Sequence, residues 1–246
     1  MRLLAIIALV LGAGISAVRA QDAQIAVAAN FIAAAEALAE AFETQTGAEI
    51  GLSFGSTGQL YAQIVQGAPF DGFLAADSER PDLLVEEELA VPDSRFTYAV
   101  GRLVLFSADS GRVYGPESLE GDFDRLAIAE PGAAPYGAAA VEVIAALGLT
   151  DALDAKLVIG QSIAQAYQFV ETGNAEMGFV ALAQVAGRGG GSQWVVPEEM
   201  HAPIAQDGVV IAAAPSAEVA EAFFDFMRSD TGAAIIASFG YGVPER

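Results

Sequence analysis

Asn30, the pair Ser56-Thr57, Tyr136 and the stretch Gln161-Ser162-Ile163 share one place in the local pattern. Each stands where an apolar, strand-like run gives way to a helix-like one. At such junctions the first amides of a helix have no intrahelical acceptor, and the helix dipole favours negative charge beside them. In Ala28-Ala29-Asn30-Phe31 the carboxamide of Asn30 suits a helix cap or a donor to a bound oxygen. Phe54-Gly55-Ser56-Thr57-Gly58 offers two hydroxyls and glycine-relieved amides, again as a cap or as a site. Pro131 to Gly137 leads into a helix with Tyr136 at its start, a ring that is either buried packing or turned into a cleft. The fourth junction offers backbone amides around Ile163.

No lysine or arginine lies in these four segments, and no carboxylate lies at the turns themselves. A site built from neutral donors matches a fully deprotonated oxyanion, which only accepts hydrogen bonds, whereas a protonated phosphate would require one acceptor. Hydrogen bonds to a charged group contribute about 1.5–3 kcal/mol each, so several together can hold a desolvated dianion. Asp71 and Asp77 would repel such an ion and are expected to stabilise loops. The single histidine, His201, has no partner spaced for a metal site, and Glu86-Glu87-Glu88 reads as a solvated helix end. With no cysteine nucleophile, histidine pair or phosphate-loop lysine, the sequence argues against an enzyme.

The elements that must position these turns follow from apolar periodicity. Strands are expected at 24–29, 49–54 and 73–75, with helices at 31–44, from Leu60 to near Gly67, and at 79–88. A long strand at 97–107, interrupted by Gly101, and another at 208–214 look like connections between two lobes. Between them the alternation restarts, with strands at 125–129, 156–159 and 177–180 and helices at 136–147 and 163–171. Helices at 216–227 and 232–239 close the chain, and 187–192 reads as a flexible loop. Alternating strands and helices predict an α/β fold with mainly parallel sheets. One lobe is expected at 21–100 plus 209–246 and the other at 104–205, with crossings at 100–104 and 205–209.

Residues 1–20 read as a cleaved secretory signal: Arg2, an apolar run from Leu3, and Val18-Arg19-Ala20 before Gln21. Removing them takes Arg2 and Arg19 away and moves the formal charge from −21 to −23, so nucleic acid and anionic membranes are poor partners. That surface charge is screened over about 10 Å at 0.1 M salt, and a buried site obeys its local dipoles instead. Without cysteine there is no lipid-attachment site, so a free periplasmic protein is expected.

Taken in order, the four turns resemble those of the periplasmic molybdate-binding proteins of ABC importers. Further likeness lies in Phe54-Gly55-Ser56-Thr57-Gly58-Gln59-Leu60, in Gly67-Ala68-Pro69-Phe70-Asp71 with Ala75-Ala76-Asp77, and in Pro135-Tyr136-Gly137-Ala138-Ala139-Ala140. The resemblance implies a two-lobed periplasmic binding protein fold (type II) with the ligand in the cleft. It implies molybdate or tungstate as ligand, no cofactor, a membrane permease as partner and a monomer. Asn30 and Ser56 or Thr57 would bind from one lobe, Tyr136 and the Ile163 amide from the other. The alternative is another oxyanion, such as sulfate, phosphate or vanadate, or a small organic anion, on the same scaffold. Two positions depart from the family pattern: Ala181, where some members carry a tyrosine ligand, and Gly72, where a bulky apolar residue is commoner.

Overall fold

The structure is a computed structural model that describes residues 21–244, and the expected signal segment 1–20 lies outside them. Among the described residues no single helix is long and apolar enough to cross a membrane. The chain starts with β1 (Ala23–Ala28), a short 3-10 turn (Ala29–Phe31) and α1 (Ile32–Thr46). Ala34, Ala35, Leu38 and Phe42 form the buried stripe of α1, the helical spacing that the sequence announces. Next come β2 (Ile50–Gly55), α2 (Thr57–Val65), β3 (Gly72–Leu74), α3 (Glu79–Glu86) and β4 (Phe96–Gly101).

After Arg102 the chain enters a second sheet with β5 (Leu103–Ser107), β6 (Leu126–Ala129) and α4 (Pro135–Ala146). It continues through α5 (Thr150–Leu153), β7 (Leu157–Gly160), α6 (Ile163–Glu171), β8 (Met177–Ala181), α7 (Leu182–Val185) and β9 (Ser192–Val195). It returns with β10 (Ile204–Val210) and ends on α8 (Ala217–Arg228) and α9 (Asp230–Ser238).

The two sheets have the same plan. The first runs β2-β1-β3-β10-β4 and the second β7-β6-β8-β5-β9. In each, three parallel strands stand beside a fourth that runs antiparallel: β10 against β3 and β4, and β5 against β8 and β9. Those antiparallel strands are the two that the chain reaches by crossing between lobes. The expected single strand at 97–107 is thus two strands in two sheets, divided at Arg102. The return strand begins at Ile204, four residues before the expected Gly208. The segment 205–209, expected as a crossing, lies within this strand and pairs with β4 and β3.

Gln206 and Asp207 broke the apolar pattern there, yet both are fully buried. Gln206 lies among tyrosine hydroxyls, and the carboxylate of Asp207 meets the Arg95 guanidinium at 2.8 Å.

The first lobe's core is aromatic. Phe31 packs on Tyr98 and Tyr241 at 4.7 and 5.2 Å between ring centres, and Phe42 meets Phe223 at 5.4 Å. Each such ring stabilises the fold by about 1.5–3 kcal/mol through burial. Gly72, one of the two departures, makes room for Phe224: a Cβ there would lie 2.6 Å from its ring. Bulk supplied by α8 replaces bulk on β3. Asp71, just before β3, behaves as expected of a loop-stabilising carboxylate. Its two oxygens accept from the Gln24 amide at 2.7 Å and the Ser216 amide at 2.8 Å.

Candidate functional site

All four turns lie at the carboxyl ends of parallel strands, where an open α/β sheet places its ligands. β1 delivers Asn30, β2 delivers Ser56 and Thr57, β6 leads to Tyr136, and β7 leads to Ile163. The turns of the two lobes face and touch each other. The Gly58 amide in α2 donates to Ala133 O across the lobes at 2.8 Å, and the Ala29–Phe31 turn packs against α6 and α7. Ala28, Ala29 and Ala76 of the first lobe share one buried cluster with Tyr136, Ile163 and Ala181 of the second. Asn30, Ser56, Thr57, Tyr136 and Ile163 are each at most 4% exposed.

Their hydrogen bonds differ in a telling way. Ser56 caps α2, and its spacing to Gln59 is that of a reciprocal capping box. Gln59 Oε1 accepts from the Ser56 amide at 3.4 Å, while the buried Ser56 Oγ has no hydrogen-bond partner among the described residues. Leaving a buried hydroxyl unsatisfied costs about 1–3 kcal/mol, and such groups concentrate at sites of function. Thr57 Oγ1 is engaged, accepting from the Ala76 amide at 3.1 Å, which ties the Ala75-Ala76-Asp77 loop to the start of α2.

Asn30 sits in a buried polar network. Its Nδ2 donates to Gln206 Oε1 at 2.8 Å and to Tyr241 Oη at 3.2 Å, and Tyr241 Oη donates to Asn30 O at 2.6 Å. The helix-capping role does not fall to Asn30, because the N-cap positions here are Ala28 and Phe31. Tyr136 accepts at Oη from Gln206 Nε2 at 3.2 Å. Burial pushes its hydroxyl well above the usual tyrosine range, against the lowering effect of hydrogen bonds from Gln206 and Asn30. The phenol therefore remains a neutral donor throughout the physiological pH range. At the fourth turn Ser162 caps α6 by accepting from the Gln165 amide at 3.3 Å, and Gln184 Nε2 donates to Ile163 O at 3.2 Å.

Three features escaped the sequence. Gln206 joins Asn30 to Tyr136, although it lies 176 residues from the first. Arg80, held by Asp77, donates to Gly132 O at 2.9 Å, so a basic group does reach the third turn from the opposite lobe. That pairing explains Asp77 as a structural carboxylate; burial raises its pKa, opposed by the Arg80 contacts. Gly101 permits the close approach of Tyr136, since a Cβ there would lie 2.2 Å from its Oη. No local signal points to any of the three beyond a glycine at an interruption in a strand.

A groove of about 580 Å³ lies between the lobes, lined by Asp77, Arg80, Gly132, Glu142 and Ile204 but not by Asn30, Ser56, Thr57, Tyr136 or Ile163. Gly51-Leu52-Ser53-Phe54-Gly55 spells a hydrolase-type pattern, but Ser53 lies within β2 and accepts from Gln24 Nε2 at 2.9 Å. A hydrolase elbow would place that serine on a strand-to-helix turn.

Two α/β lobes crossed twice by the chain, with helix starts and neutral donors meeting between them, define a solute-binding protein of the two-lobed periplasmic type. The chain matches the family described as bacterial extracellular solute-binding protein over residues 23–242. It is 48% identical over 236 residues to the molybdate-binding protein ModA of Rhodobacter capsulatus, covering 96% of this chain and 93% of that one. It is 50% identical over 240 residues to the molybdate-binding protein ModA of Azotobacter vinelandii, covering 95% of each. Among solved structures, the periplasmic molybdate-binding protein of Azotobacter vinelandii superposes with a TM-score of 0.88 at 40% identity, over 91% of this chain and 100% of that one. The chain belongs to the ModA family of bacterial extracellular solute-binding proteins, which are transport proteins and not enzymes.

Proposed function

We propose that this protein is exported to the periplasm, captures molybdate or tungstate between its lobes and presents the closed complex to an ABC import permease. The observation that carries this reading is Ser56 Oγ, a buried hydroxyl without a hydrogen-bond partner among the described residues, at the start of α2, two residues before the Gly58 amide that bonds to the other lobe. Around it the four turns supply neutral donors, which suits a dianion with acceptors only. Ser56 is the direct hydroxyl ligand and Thr57 the latch of the neighbouring loop. Tyr136 donates from the second lobe in place of the tyrosine that Ala181 lacks, and the Ile163 amide donates at the start of α6.

Asn30 contributes through Nδ2. The proton it shares with Tyr241 sits in the longer of its two bonds, and an oxyanion is a far stronger acceptor than a phenol oxygen. The protein acts as a monomer without a cofactor.

Calorimetric titration with molybdate, tungstate, sulfate and phosphate tests the reading. Molybdate and tungstate are expected to bind at sub-micromolar concentration; tight binding of sulfate or phosphate with no response to molybdate overturns it. Ser56→Ala and Tyr136→Phe should each weaken molybdate binding by about 1–3 kcal/mol. Thr57→Ala should weaken it less, acting through the loop.

Closure has its own test at Gly58. A Cβ there would lie 3.0 Å from the Ala133 Cα of the opposite lobe, so a branched side chain opposes the closed form and leaves each lobe's core untouched. Gly58→Val is expected to weaken molybdate binding about tenfold or more and to enlarge the radius of gyration seen by X-ray scattering with the ion present. A wild-type scattering curve together with wild-type affinity would show that the Gly58 contact plays no part in closure.

A further inference from the structure

Gln206 is fully buried and comes from β10, yet it hydrogen-bonds to one cage residue of each lobe: Asn30 of the first and Tyr136 of the second. We infer that Gln206 is a positioning residue that sets the proton polarity of the cage, so that the Tyr136 hydroxyl has its hydrogen free for the ion. This rests on the oxyanion reading proposed above.

A carboxamide has one acceptor end and one donor end, and its neighbours decide which points where. Here the oxygen end faces Asn30, accepting from its Nδ2 at 2.8 Å, with Tyr98 Oη 3.1 Å away. The nitrogen end must then face Tyr136, to which it donates at 3.2 Å. A phenol oxygen that accepts from an N–H cannot return its own proton along the same line, so that proton turns elsewhere. The single Tyr98 hydroxyl proton goes to the nearer Ala75 O at 2.8 Å, which fixes the phenol to the first lobe's sheet and leaves the Asn30 bond as the principal hold on Gln206. Gly101 completes the arrangement, because a Cβ there would lie 2.7 Å from Gln206 Nε2 as well as against Tyr136. A single amide thereby links the ligand groups of both lobes and points them the same way.

Two substitutions separate this role from mere packing. In Gln206→Glu the carboxylate accepts at both oxygens, takes the Tyr136 proton for itself and places a buried charge near a dianion. Molybdate affinity at about pH 8 should fall about a hundredfold or more, and part of the loss should recede as pH is lowered, since the introduced carboxyl donates again once it is protonated. Gln206→Met keeps the volume without either polar end and should weaken binding about three- to tenfold. Added to Tyr136→Phe it should cost almost nothing further, because both changes remove the same aimed hydroxyl.

The measurements are molybdate titrations of the wild type, Gln206→Glu across that pH range, and the cycle of Gln206→Met with Tyr136→Phe. Thermal unfolding without ion checks each fold. Strictly additive losses in the cycle, or a Gln206→Glu variant that binds as the wild type does at every pH, would overturn the inference. If Gln206→Glu does not fold, the methionine cycle decides alone. A wild type that ignores molybdate removes the oxyanion reading itself, an outcome distinct from a binding wild type with indifferent Gln206 variants.

Discussion

Gly101→Ala is expected to abolish most oxyanion binding while leaving a folded protein. The new methyl carbon would stand 2.2 Å from Tyr136 Oη, 2.7 Å from Gln206 Nε2 and 2.8 Å from Tyr136 Cζ, distances at which atoms must move. The ring has little room to retreat, since Tyr136 is 1% exposed and Gln206 not exposed at all. The Tyr136 donor and the amide that aims it are displaced together, so the loss should reach about 3–4 kcal/mol, or roughly two to three orders of magnitude in affinity. The cost to stability should be about 1–3 kcal/mol, because a buried polar network is strained but no core residue is removed. Calorimetry and thermal unfolding read the two quantities separately. Adding Tyr136→Phe removes the clashing oxygen, so the double variant should regain stability and stay weak in binding. If Gly101→Ala binds molybdate as the wild type does, Tyr136 is not a ligand.

Asp71→Ala should do the opposite, lowering stability and sparing the site. Asp71 is 3% exposed, and its side chain holds the Gln24 amide of β1 and the Ser216 amide before α8, while its own amide donates to Gln24 O. Removing the carboxylate strands two amides, and each bond to a charged acceptor is worth about 1.5–3 kcal/mol, so a loss of about 3–5 kcal/mol is expected. For a chain of this size that corresponds to a melting point lower by about 5–15 °C. Asp71→Asn keeps one acceptor and should lose about half as much. Molybdate affinity, measured where each variant is folded, should stay within about threefold of the wild type. A selective loss of affinity with unchanged melting would instead place Asp71 among the groups that meet the ion.

The four turns were legible because each depends on local pattern. A β-period run followed by a helix-period run, with Ser56 or Ser162 at the change, fixes strand, turn and helix within about ten residues. Ile163–Glu171 shows how well this works, since apolar spacing and the Ser162 cap mark one and the same helix start. The same reasoning failed at β10. Gln206 and Asp207 look like loop residues to any pattern of apolar alternation, and they are buried because Tyr98, Tyr136 and Asn30 arrive from distant segments to hydrogen-bond Gln206 and Arg95 arrives to pair with Asp207. Places where a local rule is broken at a buried position tend to be where function is built.

The candidate site residues were likewise visible as types but ambiguous as roles. Ser56 and Thr57 are adjacent hydroxyls at one helix start, and nothing in their order says which one a neighbouring amide will occupy. The Ala75-Ala76 loop decided it by returning its Ala76 amide to Thr57 Oγ1, while Ser56 Oγ has no hydrogen-bond partner among the described residues.

What the sequence determined by itself was the alternation of strands and helices, the neutral donor character of the turns and the family to which they belong, because these reside in periodicity and side-chain type. What only the tertiary structure decided was the division of 97–107 between two sheets, the start of β10 at Ile204, and the bonds that Gln206, Arg80 and Gly58 make across the lobes. Those depend on which distant segments meet, and a polar group's partner is set by that meeting and not by its neighbours in the chain.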